Sequence, residues 1–192
     1  MTTAALDSAL WAFGRGAGVT ALALFTLSIV LGIVARSGRR VPWLGRFGTS
    51  DLHRTAALTG TGLVAAHVGG LLFDPYAQLR LVDVVLPFLA GYRPAWLGLG
   101  TLALDLIGVI TVVSLLRHRV GPRVFRTVHW ATYALWPTAL LHALGSGTDA
   151  GTLWFRTFAA ICVGCVVTAV GWRLTPSYAG RGWVRHPRRT AA

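Results

Sequence analysis

The chain predicts an all-α, polytopic bundle of five membrane-crossing helices, and three observations carry that prediction. Only 12% of the 192 residues are charged, where a soluble domain of this size carries about a quarter. Hydrophobic residues make up 54% and lie in long, almost uncharged runs. The charge gathers in short segments between those runs, as it does between membrane helices. No stretch has the composition of a soluble domain, so residues 1–192 read as a single domain lying in the bilayer.

A helix rising 1.5 Å per residue needs about 20 apolar residues to cross roughly 30 Å of hydrocarbon. The first such span is 16–35 and ends in RSGRR. The preceding MTTAALDSALWAFGRG has no positive region ahead of its apolar stretch, which argues against a cleavable signal peptide. The second span, 51–73, stops at the Asp74-Pro75 turn. After it, AQLRLVDVVLPFLAGYRP is semi-apolar, with Arg80, Asp83 and two prolines, and reads as a loop holding a short interfacial helix. The third span is 97–116, followed by RHRVGPRVFR; the fourth, 127–144, ends in the turn-rich GSGTDAG. The fifth is 154–174, with a basic tail over 175–192. Trp11, Trp43, Trp96, Trp154, Trp172 and Trp183 fall at or near these ends, as interfacial tryptophans do.

All 18 basic residues are arginine, and the six acids include no glutamate. A net charge of +12 on one soluble face would suggest nucleic acid, but these arginines flank apolar spans. Fourteen of them fall in 36–54, 117–126 and 173–189, on one side of the bundle. The positive-inside rule makes that side cytoplasmic, with the N-terminus outside, the C-terminus inside and the chain in the cell (inner) membrane. Cys162 and Cys165 share an apolar run and read as small packing residues despite their redox-like spacing.

Ionisable side chains at membrane depth are costly and mark function by default. The second span carries His53 and His67, fourteen apart; the fourth carries His129 and His142, thirteen apart. Both spans run in the same direction, so the four residues form two cross-helix pairs at matched depths. The separations along each helix are roughly 21 and 20 Å. Two facing imidazoles at one depth suit the two axial positions of a haem iron in an apolar pocket. Zinc or copper would want three or four ligands converging on one point. A proton relay would need closer polar steps. Fourteen residues return His67 to within about 40° of the face of His53, whereas thirteen leave His142 about 140° from His129. The fourth span must therefore be kinked near Pro137, or His129 must lie on an irregular first turn.

The two pairs, H-x13-H and H-x12-H, resemble those of the ferric reductase-like transmembrane domain family. That family includes ferric reductases, NADPH oxidases and the haem-binding membrane subunit of the periplasmic methionine-sulfoxide reductase system. Arg15 and Gly18 in WAFGRGAG, Ser114 in VVSLLRHR and the stretch FRTVHWATYALWPTALLHALGSGTD support the likeness, which spans about 11–174. The resemblance implies two haems b, the inner held by His53 and His129 and the outer by His67 and His142, with Arg15 near the outer one. Oxidase relatives tend to carry a histidine one turn beyond the outer ligand, where this chain has Leu71, which counts against superoxide chemistry. About eighteen residues follow Leu174, too few for the cytoplasmic FAD/NADPH module of larger members. The implied role is an electron-transfer subunit. Its donor would be a cytoplasmic flavoprotein, quinol or a bound flavin, and its acceptor ferric iron or a periplasmic reductase.

Arg54 and Arg126, with Arg46 and Arg123, are placed to pair with propionates at the inner level, and Arg15, Arg80 and Arg93 at the outer. Asp105, mid-span, suits either a hydrogen bond inside the bundle or a proton or quinol site. His118 and His186 lie in arginine-rich segments and read as solvated; the tail RGWVRHPRR suits anionic lipid or a partner. Two other readings stand beside this one: a quinol-linked cytochrome b subunit, and a haem-free transporter or assembly protein with structural histidines.

Overall fold

The computed structural model describes residues 3–39, 46–74, 77 and 79–178, with side chains for all of these except 3–7 and 46. Trp43, the Arg46 side chain, Trp183, His186 and the basic tail lie outside the described residues. Among the described residues seven helices follow in order: α1 Thr3–Ser37, α2 Arg46–Phe73, α3 Leu81–Val85, α4 Pro94–Leu115, α5 Arg117–Trp130, α6 Thr132–Ser146 and α7 Leu153–Arg173. There is no strand among the described residues. Four helices, α1, α2, α4 and α7, are long and apolar enough to cross a membrane. They correspond to the first, second, third and fifth predicted spans.

The fourth predicted span departs from expectation. Residues 127–144 are not one helix: α5 ends at Trp130, Ala131 forms a turn, and α6 restarts at Thr132. The irregularity demanded by the thirteen-residue histidine spacing thus lies two residues past His129. Pro137 sits inside α6, which continues through it. A second break, at Gly121 (φ 79°), separates the start of α5 from Pro122 onward. With 15 residues, α6 is only about 22 Å long.

α1 packs along α2 and α4 along α6, while α1 also reaches α6 and α7. Two apolar clusters fill the middle. One joins Leu22 of α1 with Trp136 and Leu140 of α6 and with Ala159, Cys162 and Val166 of α7. The other joins Ala103, Ile107 and Ile110 of α4 with Leu135 of α6. Phe25 packs against both clusters. Its ring lies 3.2 Å from where a Cβ on Gly60 of α2 would sit, so that glycine lets α1 and α2 close on each other. The outward faces are equally apolar: Val109, Leu141, Ile161 and Val167 are all exposed. Such a surface is satisfied by lipid, because the helices keep their backbone hydrogen bonds internal.

The ends are tied by polar contacts. Tyr178 Oη donates to Ile33 O at 3.0 Å and Arg39 Nη2 to Ser177 O at 2.6 Å, closing the chain after α7 onto α1. Arg173 donates to Tyr133 Oη and lies 4.7 Å over the Trp130 ring. Between α2 and α4, Arg80 grips Asp83 through Nε at 2.9 Å and Nη2 at 2.7 Å. The Arg80 hydrogen bond holds the Asp83 carboxyl below the usual carboxylate range. Thr101 Oγ1 donates to Asp83 O at 2.6 Å and pins α3, the expected short interfacial helix, onto α4. Phe88 (φ 69°) turns its ring onto Gly98, where a Cβ would lie 2.1 Å from that ring. Gly98→Ala should therefore destabilise the fold by about 1–3 kcal/mol. Gly164→Ala, which meets nothing within 4 Å, should stay within about 0.5 kcal/mol. Thermal unfolding in detergent compares the two.

Candidate functional site

Both histidines of the α5–α6 arm, one on each side of the turn at Ala131, lie against histidines of α2. His53 and His129 have ring centroids 6.1 Å apart with planes at 78°, and His67 and His142 are 6.5 Å apart at 75°. The four residues thus meet as the two expected pairs, one at each level. Two metal–nitrogen bonds of about 2.0 Å plus two ring half-widths put imidazoles on opposite sides of one ion roughly 6 Å apart. Both pairs have that spacing. Among the described residues no group of three or more His, Cys, Asp or Glu could hold a metal ion. Two imidazoles per level therefore suit an ion that brings its other ligands with it, as haem iron does.

The protonation of the rings is set by what lies behind them. His53 Nδ1 is 2.8 Å from Ser28 O and 3.0 Å from Ser28 Oγ. His67 Nδ1 is 2.7 Å from Gly14 O, and His142 Nδ1 is 2.9 Å from Trp96 O. A carbonyl only accepts, so each of these Nδ1 atoms carries the proton. The Nε2 lone pair is left free, as metal-ligating histidines require. His129 differs: its Nδ1 is buried and has no hydrogen-bond partner among the described residues. Its ring instead stacks on Phe125 at 5.2 Å and 25°.

Each of the three acceptors lies four residues before a glycine. A Cβ on Gly18 would lie 3.0 Å from His67 Nδ1, and one on Gly32 3.1 Å from His53 Cε1. On Gly100 it would lie 2.6 Å from His142 Nδ1. A side chain at that position would stand between the imidazole and the carbonyl one turn back, so the glycine opens the approach. Gly14 and Ser28 are fourteen apart on α1, as are Gly18 and Gly32, matching the fourteen residues from His53 to His67 on the antiparallel α2. Of these positions the sequence marked Gly18 through the family resemblance and Trp96 only as an interfacial tryptophan. Gly14, Ser28, Gly32 and Gly100 were missed, although on α1 the doubled small-residue spacing was available as a signal.

Midway between the levels, Trp136 Nε1 donates to Thr26 Oγ1 at 2.9 Å, tying α6 to α1 in the buried core. Trp136→Phe and Thr26→Val should each cost about 1 kcal/mol. The double variant should cost little more than either, because both remove one bond; thermal unfolding of the three variants gives the coupling.

The candidate arginines fall into two groups. Arg15 follows the acceptor Gly14; it pairs with Asp149 and lies 3.9 Å over the Trp11 ring. Arg93 donates to Gly145 O at 2.7 Å, and Arg80 is engaged by Asp83. At the other level, Arg54 adjoins His53, and Arg123 and Arg126 precede His129; all three are exposed. Asp105 is exposed on α4 with no hydrogen-bond or ion-pair partner among the described residues, so the expected bond inside the bundle is not formed there. Cys162 is buried and Cys165 exposed, both as free thiols, and His118 is exposed.

No curated protein and no solved structure matches the chain significantly. A family model described as "Ferric reductase like transmembrane component" matches residues 17–140, which include three of the four paired histidines and all three acceptor-side glycines. With four helices able to cross a membrane and this match over more than half its length, the chain is a multi-pass membrane protein of the ferric reductase-like transmembrane family.

Proposed function

We propose that the protein is a di-haem membrane electron carrier, with His53 and His129 ligating the iron at one level and His67 and His142 at the other. The single observation that carries this reading is the repeated geometry: two imidazole pairs with centroids 6.1 and 6.5 Å apart, three of the four rings with Nδ1 tied back to backbone carbonyl. The family's transmembrane domain binds haem, which fits the donor set. When bound, haem iron would supply one-electron chemistry; His53, His67, His129 and His142 would supply ligating nitrogens, and the helices the spacing and a low-dielectric surround.

In this reading the α5–α6 arm is the fifth crossing, and the side bearing Arg54, Arg123 and Arg126 faces the cytoplasm. Electrons enter at the His53/His129 level and leave at the His67/His142 level, on the outer side of the cell (inner) membrane. Arg54 and Arg126 offer bidentate donors to propionates at the inner level. Arg15 lies at the outer level, its charge balanced by Asp149. The donor is a cytoplasmic flavoprotein or quinol, and the acceptor ferric iron or a periplasmic reductase.

Purified protein should show b-type α and Soret bands in a reduced-minus-oxidised spectrum, with two haems per chain by pyridine haemochrome. His67→Ala and His142→Ala should each lower that count to one and leave the same haem behind. A folded but colourless protein from haem-replete cells contradicts the reading. Reduction by menaquinol in isolated membranes, against reduction only with added flavoprotein and NAD(P)H, identifies the donor.

A further inference from the structure

Three of the four imidazoles share one supporting device, and the fourth lacks it. His53, His67 and His142 each give Nδ1–H to a carbonyl four residues before a glycine. His129 has a buried Nδ1 with no partner among the described residues. The device has no counterpart on the α4 side at the His129 level. Val113 and Ser114 stand thirteen and fourteen residues after Gly100, both with a Cβ, and Gly108 has nothing within 4 Å of its Cβ position. His129 also sits beside the break at Ala131 and is packed by Phe125 of its own helix.

We infer that the carbonyl–glycine pairs Gly14/Gly18, Ser28/Gly32 and Trp96/Gly100 position three fixed ligands, and that His129 is the one exchangeable ligand, opening the inner iron to a small neutral molecule. This rests on the di-haem reading above. A hydrogen bond from the distal ring nitrogen fixes ring orientation and raises the basicity of the ligating nitrogen; losing such a partner costs 10–100-fold in metal affinity. His129 has no such bond to lose, so its hold on the iron should be weaker than that of His53 by a factor of about that order. Displacement needs no redox partner. A neutral ligand with a free lone pair bonds to ferrous iron as the iron–Nε2 bond breaks, and the imidazole leaves neutral.

The test is carbon monoxide titration of the detergent-purified di-haem protein after reduction with dithionite, read from the Soret shift. The unmodified chain should bind one carbon monoxide per two haems. Gly100→Ala pushes on His142 and Gly18→Ala on His67, so each should raise the count to two. Gly164→Ala, whose added Cβ meets nothing within 4 Å, should leave it at one. Gly18→Ala, with its Cβ 3.0 Å from the ring, keeps the test available if Gly100→Ala does not fold. A count of zero or two in the unmodified chain overturns the inference, as does a count of one in every folded outer-level variant. A chain that folds without any haem defeats the underlying reading as well, which the haemochrome count reveals beforehand.

Discussion

The structure depends on one interaction, the hydrogen bond from an imidazole Nδ1–H to a carbonyl on the neighbouring helix. A neutral histidine in the bilayer interior has a donor and an acceptor to satisfy, and leaving either buried and unpaired costs about 1–3 kcal/mol. Each such bond within a membrane bundle is worth on average only about 0.6 kcal/mol. Its larger effect is on geometry. Tying Nδ1 to Ser28, Gly14 or Trp96 fixes the orientation of each ring beside a partner imidazole 6–7 Å away between centroids. The helix pairing follows from the same requirement. α1 must lie close enough to α2, and α4 to α6, for a ring to touch backbone, and glycine is the residue that allows it.

The rest of the bundle holds those two close pairs in register. Trp136 and Thr26 join α6 to α1 between the histidine levels, and Phe25 packs against both apolar clusters. At one end Arg15 and Asp149 link α1 to the turn before α7. At the other, Arg39, Arg173 and Tyr178 fasten α1, α6 and the segment after α7. The arginine ties lie at the ends, while the middle is apolar packing crossed by hydrogen bonds whose donors and acceptors are satisfied within the bundle.

Much of this was legible in the sequence. The spans were set by charge depletion, and the histidine pairs by matching two residue separations on parallel-running spans. The thirteen-residue separation demanded an irregular helix, and one is present. Of the two places offered, the kink near Pro137 is absent, since α6 continues through it, and the turn falls at Ala131, next to the irregular first turn around His129. The rings' supporting carbonyls were missed, because a backbone acceptor leaves no mark of its own. What marks it is the glycine four residues on, in a chain that has 23 glycines. Asp105 shows the opposite limit. Its depth was readable from the sequence, but whether it faces the bundle or the lipid is a matter of helix rotation, and it is exposed.

The relative orientation of paired rings offers the most direct check on the central claim, that each pair shares one iron. Imidazole planes at 78° and 75° are close to perpendicular. Low-spin ferric haem with nearly perpendicular axial imidazoles gives a strongly anisotropic electron paramagnetic resonance spectrum with one large, isolated g feature, whereas parallel rings give a narrower rhombic one. The oxidised protein should show two such strongly anisotropic low-spin signals. A spectrum dominated by high-spin iron would contradict the paired-histidine account, and rhombic low-spin signals alone would contradict only the near-perpendicular ring orientation.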